Sequence, residues 1–258
     1  MSMRAILTSL FLWLASSSLL SACAASQPRG PIVFAASSLQ KPLEELASLW
    51  VEKGNDPLVL SFASSATLAR QIDNGSLSDL YISADEQWIE YLVTAGRLDD
   101  SAVRVVATNS LVLAIYGEEG ALLASQNVPT TRKFVTTGKI TTGDPETVPL
   151  GRFAEQWLQS AGLWDAAKPH LVPAQSSGAA VKLVLIREAD GGILYASDAA
   201  SIKRLVAIRA IPPESHSPIV YQAVLLPSSA HPDAGDFLEF LASDEARQAF
   251  ARYGFGVP

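Results

Sequence analysis

The sequence predicts an α/β protein of two lobes with a cleft between them, and three observations predict it. Apolar runs of strand length alternate with stretches of helical periodicity from Pro31 onward. Between Val103 and Tyr116 two apolar runs, VRVVA and LVLAIY, flank Thr108 and Asn109, which reads as a chain passing from one lobe into another. A later alternating run, Ile219 to Leu226, reads as the return. Two lobes joined by two crossover strands make a cleft, where small ligands bind and around which hinge closure is a known motion. The expected division is residues 31–108 plus 223–258 for lobe 1 and 109–222 for lobe 2. A signal segment (1–22) and a tether (23–30) precede them.

The elements follow in order. Ile32 to Ala35 is a short buried strand, and Leu39, Leu43, Leu46 and Trp50 share a helical face behind it. Pro42 falls in the first turn of that helix, where a missing N–H is harmless, and Gly54 with Asn55 stops it. Leu58 to Phe62 is a strand, Thr67 to Asn74 a helix, Asp79 to Ser83 a strand and Glu86 to Ala95 a helix closed by Gly96. This βαβαβα pattern calls for a parallel sheet covered by helices. In the second lobe the strand Lys139 to Thr142 leads through the turn GDPETVPLG to a helix from Leu150 to Ala161 with Pro149 at its start. Leu171 and Val172 form a strand, and Gln175-Ser-Ser-Gly178 opens a helix running to Glu188. Gly191-Gly192 reads as a turn before the strand Ile193 to Ser197, and Leu205 to Ile211 is a further strand. Helices at Asp236 to Ala242 and Glu245 to Tyr253 complete the first lobe.

Composition narrows the function. A chain 48% hydrophobic and 17% charged buries a real core and is not disordered. A net charge of −7 without any basic run argues against nucleic acid and against an anionic membrane surface as partners.

Two serine pairs carry most of the functional signal. In PIVFAASSL and in LVLSFASSATLARQI an apolar strand ends in small residues and two serines, and a helical pattern follows at once. Such a pair puts hydroxyls and the free N–H groups of a helix start on one spot, which is the chemistry of an anion cradle built from dipoles. One pair alone is explained by helix capping. Two pairs, at the C-terminal ends of successive strands, fall where open α/β sheets collect their ligands.

The N-terminus reads as a targeting segment. Arg4 supplies a short positive region, and Ala5 to Leu20 is apolar but too short and poorly flanked to span a membrane. It ends in Leu20-Ser21-Ala22-Cys23, which resembles the lipobox of bacterial lipoproteins, with cleavage before the cysteine and lipidation of its thiol. Cys23 is the only cysteine, so no intramolecular disulfide forms. Cleavage removes Arg4 and leaves 18 basic against 26 acidic residues, a net charge of −8.

Other candidates are weaker. Asp144, Pro145 and Glu146 read as a turn rather than an acid/base pair. His170, His216 and His231 are scattered, without metal-ligand spacing, and read as surface residues. Arg70 lies near the second serine pair and reads as a surface salt-bridge partner.

Seven strings, VFAASSL, SFASSATLARQI, DLYISADEQWIEYL, NSLVLAIY, GDPETVPLG, GILYASDA and RYGF, occur in this order from about Pro31 to the C-terminus. Together they resemble the molybdate-binding proteins of bacterial molybdate ABC transporters, a family of type II periplasmic binding proteins. The resemblance implies a tetrahedral oxyanion, molybdate or tungstate, held by hydroxyls and backbone N–H groups, with no metal cofactor and no counter-cation. It implies ligand contacts from Ser38, Ser65 and Tyr195 through their hydroxyls and from Leu150 and Ser177 through backbone N–H groups. Leu150 stands where the family has a small residue, and Ser177-Gly178 where it has an apolar–Arg pair; the N–H donors survive both changes. The implied protein is a monomeric, lipid-anchored receptor of the cell envelope that serves a membrane permease and its ATPase, and it is not an enzyme. A receptor for another anion such as sulfate is the nearest alternative. A serine hydrolase is the alternative of a different class, and it lacks both a G-x-S-x-G elbow and a histidine placed by motif beside a serine. Cys23→Ser is expected to abolish lipidation and membrane retention, because no other thiol exists to acylate; intact-mass measurement of the membrane fraction checks this.

Overall fold

A computed structural model describes residues 30–99, 103–117 and 130–258. The signal segment, Cys23 and all of the tether except Gly30 lie outside the described residues. So does the stretch 118–129 of the second lobe.

The first sheet contains β1 (Ile32–Ala36), β2 (Val59–Ala63), β3 (Leu80–Ser83), β4 (Arg104–Asn109) and β10 (Ile219–Leu225), in the order β2-β1-β3-β10-β4. The second contains β5 (Leu111–Tyr116), β6 (Ile140–Gly143), β7 (Leu171–Ala174), β8 (Gly191–Tyr195) and β9 (Leu205–Ala210), in the order β7-β6-β8-β5-β9. Helices flank both: α1 (Gln40–Glu52), α2 (Ser65–Asp73) and α3 (Glu86–Thr94) in the first lobe, then α4 (Thr131–Thr137), α5 (Pro149–Ser160), α6 (Trp164–Ala167), α7 (Ser177–Leu185) and α8 (Ala196–Ser201) in the second. The chain then returns to the first lobe for α9 (Ala234–Phe240) and α10 (Asp244–Arg252). Trp50 of α1 packs edge-on against Phe237 of α9 at 5.3 Å between ring centroids, which seats the returning helices on lobe 1.

The expected parallel sheet is present among three strands of each lobe, but both sheets are mixed. β1 pairs parallel with β2 and β3, whereas β10 runs antiparallel to β3 and β4. β6 pairs parallel with β7 and β8, whereas β5 runs antiparallel to β8 and β9. The reason is the crossing itself. β4 ends at Asn109 and β5 begins at Leu111, so β5 enters its lobe from the cleft and must run away from it. β10 enters the first lobe from the second and is reversed for the same reason. The other strands run towards the cleft and deliver their C-terminal ends to it. The ladder of β10 begins at Ile219, opposite Asn109. Asn109 and residues 219–222 therefore pair within the first sheet, and the crossings lie at Ser110 and at 211–218.

Gly191 and Gly192 do not form a turn; they open β8. A Cβ on Gly191 would lie 2.7 Å from the Ala114 carbonyl oxygen and against the Phe134 ring, so backbone and ring come too close there for any side chain. Helices α4, α6 and α8 were not anticipated. Ser197, expected at a strand end, lies in α8. Gly191→Ala is expected to cost about 1–3 kcal/mol through overpacking, read as a lower urea midpoint with an unchanged slope.

Candidate functional site

Four chain segments end in the cleft and turn directly into helices. After β1 comes a short 3-10 turn, Ser37–Leu39. After β2, Ser64 caps α2, its hydroxyl accepting the Thr67 N–H at 3.1 Å. After β6 and the turn held by Asp144, Pro149 starts α5. After β7, Ser176 caps α7 by accepting the Ala179 N–H at 3.1 Å. The capping serines satisfy the third N–H of their helices and leave the earliest ones free. Those free groups belong to Ser65 in α2, Leu150 in α5 and Ser177 in α7, and all three helix dipoles present their positive ends to the cleft.

The residues meet around a narrow cavity walled by both lobes. Ser37, Ser38, Ser64 and Ser65 line it from the first lobe, and Pro149, Ser177 and Tyr195 from the second. Among the described residues, no charged side chain lines it. Four of the five residues expected from the sequence thus face one space. Leu150 does not line it; its side chain is fully buried at the start of α5, next to Pro149.

Hydrogen bonding orients the hydroxyls. Ser65 Oγ accepts the Ala84 N–H at 3.0 Å, so its own proton is free to donate. Ser38 Oγ lies 2.9 Å from the Tyr221 hydroxyl, which also receives Asn109 Nδ2–H at 3.2 Å. Asn109 fills one acceptor position of the Tyr221 hydroxyl, and the Ser38–Tyr221 bond ties the Ser38 hydroxyl into the same chain of hydrogen bonds. Burial pushes the Tyr221 phenol well up, with Ser38 and Asn109 opposing, so the relay stays protonated. Tyr195 is fully buried and its hydroxyl has no partner among the described residues. Burial, reinforced by Tyr221, Asp85 and Asp198, holds its pKa far above the usual phenol range. A buried donor left unmade costs about 1–3 kcal/mol, so the site gains from an acceptor brought to Tyr195. The sequence did not reveal Tyr221 or Asn109. Their sole signal was position, beside the two crossings.

The chain matches the family described as bacterial extracellular solute-binding protein over residues 32–256. It belongs to that family. It is 33% identical over 228 residues to the molybdate-binding protein ModA of Escherichia coli, covering 87% of this chain and 88% of the relative. It is 30% identical over 226 residues to a putative ABC transporter substrate-binding lipoprotein, YvgL, of Bacillus subtilis, covering 86% and 85%. Among solved structures, the periplasmic molybdate-binding protein of Azotobacter vinelandii superposes with a TM-score of 0.74 at 26% identity, covering 88% of this chain and 99% of that one.

In this solute-binding protein the lobes are tied together around the cavity. Ser37 Oγ and Ser177 Oγ lie 2.8 Å apart across it. Arg152 of α5 donates twice to the Asp85 carboxylate of the first lobe, both at 2.6 Å. Lys41 Nζ reaches the Ser201 carbonyl at 3.0 Å. Asp85 is almost fully buried, with a side chain 2% exposed against 25% for Arg152, and it also accepts the Gln87 N–H at the start of α3. Arg152 therefore places a cation close to the site and cancels it against Asp85, a pairing that sequence spacing could not show. Arg70, by contrast, lies over the Trp88 ring at 5.4 Å, away from the cavity lining.

The fold also gathers Asp56, His231 and Asp233, whose ligand atoms lie within 4.8 Å of one another. His231 Nδ1 accepts the Asp233 N–H at 3.2 Å, which puts the ring proton on Nε2 and takes that nitrogen away from a cation. Arg152→Ala leaves the Asp85 carboxylate buried and unpaired. It is expected to lower stability by about 3 kcal/mol, the low end for a broken buried pair because the guanidinium is partly exposed; urea unfolding measures this.

Proposed function

We propose that this protein is the substrate-binding component of a molybdate ABC importer, capturing molybdate or tungstate between its lobes and handing it to a membrane permease driven by an ATPase. One observation carries the reading: an interlobe cavity lined by hydroxyls and helix starts and, among the described residues, by no charged side chain, with the buried Tyr195 donor unpartnered among them. Such a site suits a fully ionised tetrahedral oxyanion, which accepts hydrogen bonds and carries no proton to give back. Contacts come from the hydroxyls of Ser38, Ser65 and Tyr195 and the N–H groups of Leu150 and Ser177. Each hydrogen bond to a charged group contributes about 1.5–3 kcal/mol. Five of them, after association costs, reach the range of a nanomolar Kd, about −12 kcal/mol.

The relatives named for molybdate support this ligand over sulfate. A hydrolase reading loses ground, because among the described residues neither a histidine nor a carboxylate lines the cavity to serve the serines as a base. Ligand capture without a cofactor, action as a monomer and anchoring in the cell envelope through Cys23 complete the proposal. The name of the Bacillus subtilis lipoprotein supports the anchor.

Ligand at about 100 times its Kd adds about 2.7 kcal/mol of stability. Molybdate and tungstate are expected to raise the melting temperature accordingly, and equimolar sulfate and phosphate to leave it unmoved; an equal shift with sulfate would reassign the ligand. Ser38→Ala and Ser65→Ala are each expected to weaken molybdate roughly ten- to a hundredfold by calorimetry, the loss of one donor to a charged ligand. Unchanged affinity in both variants would move the site elsewhere.

A further inference from the structure

A second interlobe cavity lies beside the first. It measures about 110 Å³ and is walled by Ser38 and Lys41 from the first lobe and by Val181, Ser197 and Asp198 from the second. Asp198 sits in α8, three residues after Tyr195. The residue as a whole is half-buried, but its Oδ2 atom has no accessible surface and no hydrogen-bond partner among the described residues. A carboxylate oxygen enclosed in this way is costly if ionised and acceptable if protonated. The walls of this cavity come from both lobes.

We propose that Asp198 couples oxyanion capture to the uptake of a proton: closing the lobes over the anion buries this carboxylate, which then takes a proton from solvent. The inference rests on the reading of the neighbouring cavity as an oxyanion site. Its effect is to avoid setting a buried negative charge beside an incoming dianion. The groups around Asp198 are consistent with this. Lys41, opposite it, is the charged side chain that acts on it appreciably, and its Nζ is committed to the Ser201 carbonyl. Tyr195 offers a backbone N–H, while the Tyr195 and Tyr221 phenols are held protonated by their own burial. Tyr253, at the cavity rim, is also raised, by its bond to Glu45. Asp85 and Arg152, which both act on Tyr195, are paired with each other.

The direction of the linkage follows. With the lobes together, burial raises Asp198 to about 7 against the opposing pull of Lys41 and the Tyr195 N–H. With the lobes apart, a hydrated carboxylate titrates near ~4. The closed form therefore holds more protons between these two values. Affinity rises as pH falls from about 7 towards about 4, by up to roughly tenfold per pH unit, and is flat above that window.

Calorimetry of molybdate binding at about pH 6, in buffers of differing ionisation enthalpy, reads the protons directly. The native protein is expected to take up close to one proton per anion. Asp198→Asn, a neutral isostere, is expected to take up none and to bind with an affinity that does not change from about pH 5.5 to about pH 8. Lys41→Met alters an exposed residue and leaves Asp198 in place; it is expected to move the onset of pH dependence upward, since the opposing cation is gone. Binding heat without proton uptake in the native protein, or equal uptake in Asp198→Asn, overturns the inference while leaving the oxyanion site standing. Absence of heat with molybdate and tungstate alike removes both.

Discussion

Chain direction at the cleft is the constraint on which the rest of the structure depends. Strands β1, β2, β3 and β6, β7, β8 bring their C-terminal ends to the cleft, while β5 and β10, arriving from the opposite lobe, are antiparallel to their neighbours. A helix that follows a strand ending at the cleft presents its N-terminus there, with free N–H groups and the positive end of its dipole. Two lobes built in this way face each other with positive ends inward. The cavity gains the potential of a cationic site without a charged side chain in its lining.

Neutral donors serve such a site only if their protons point the right way. The fold controls this through second partners. Ala84 N–H occupies the acceptor side of Ser65, and Ser38 is held by Tyr221, which itself accepts from Asn109. Asn109 ends β4 just before one crossing and Tyr221 lies in β10 just after the other, and Asn109 also donates to Ser197 of the second lobe at 2.9 Å. The hydrogen bonds that orient a site donor are thus shared with the hinge. In a low-dielectric interior a pre-oriented dipole counts for more than in water, because no reorientation is needed when charge arrives.

Charge is present nearby but kept in pairs. Arg152 and Asp85 join the lobes through two bonds of 2.6 Å, and both groups act on Tyr195 with opposite sign. An unpaired arginine here would favour any anion by long-range attraction. A paired one leaves discrimination to cavity size and donor geometry, since binding specificity depends on what a site penalises as well as on what it attracts.

By itself the sequence determined the alternation of strands and helices, the two crossings, the serine-bearing helix starts and, through seven strings in order, the family. These are local properties: periodicity, capping chemistry and motif each lie within a few residues along the chain. Tertiary structure alone decided the rest. It reversed β5 and β10 because each enters its sheet from the cleft, and it put Gly191 into a strand because a carbonyl and a ring leave no room for a Cβ. It also brought Tyr221 to Ser38 across 183 positions, Arg152 to Asp85 across 67, and Lys41 to the α8 turn that carries Asp198. No pattern along the chain encodes those pairings. Which proton points where, and which charge is cancelled, follow from groups that become neighbours only when the two lobes meet.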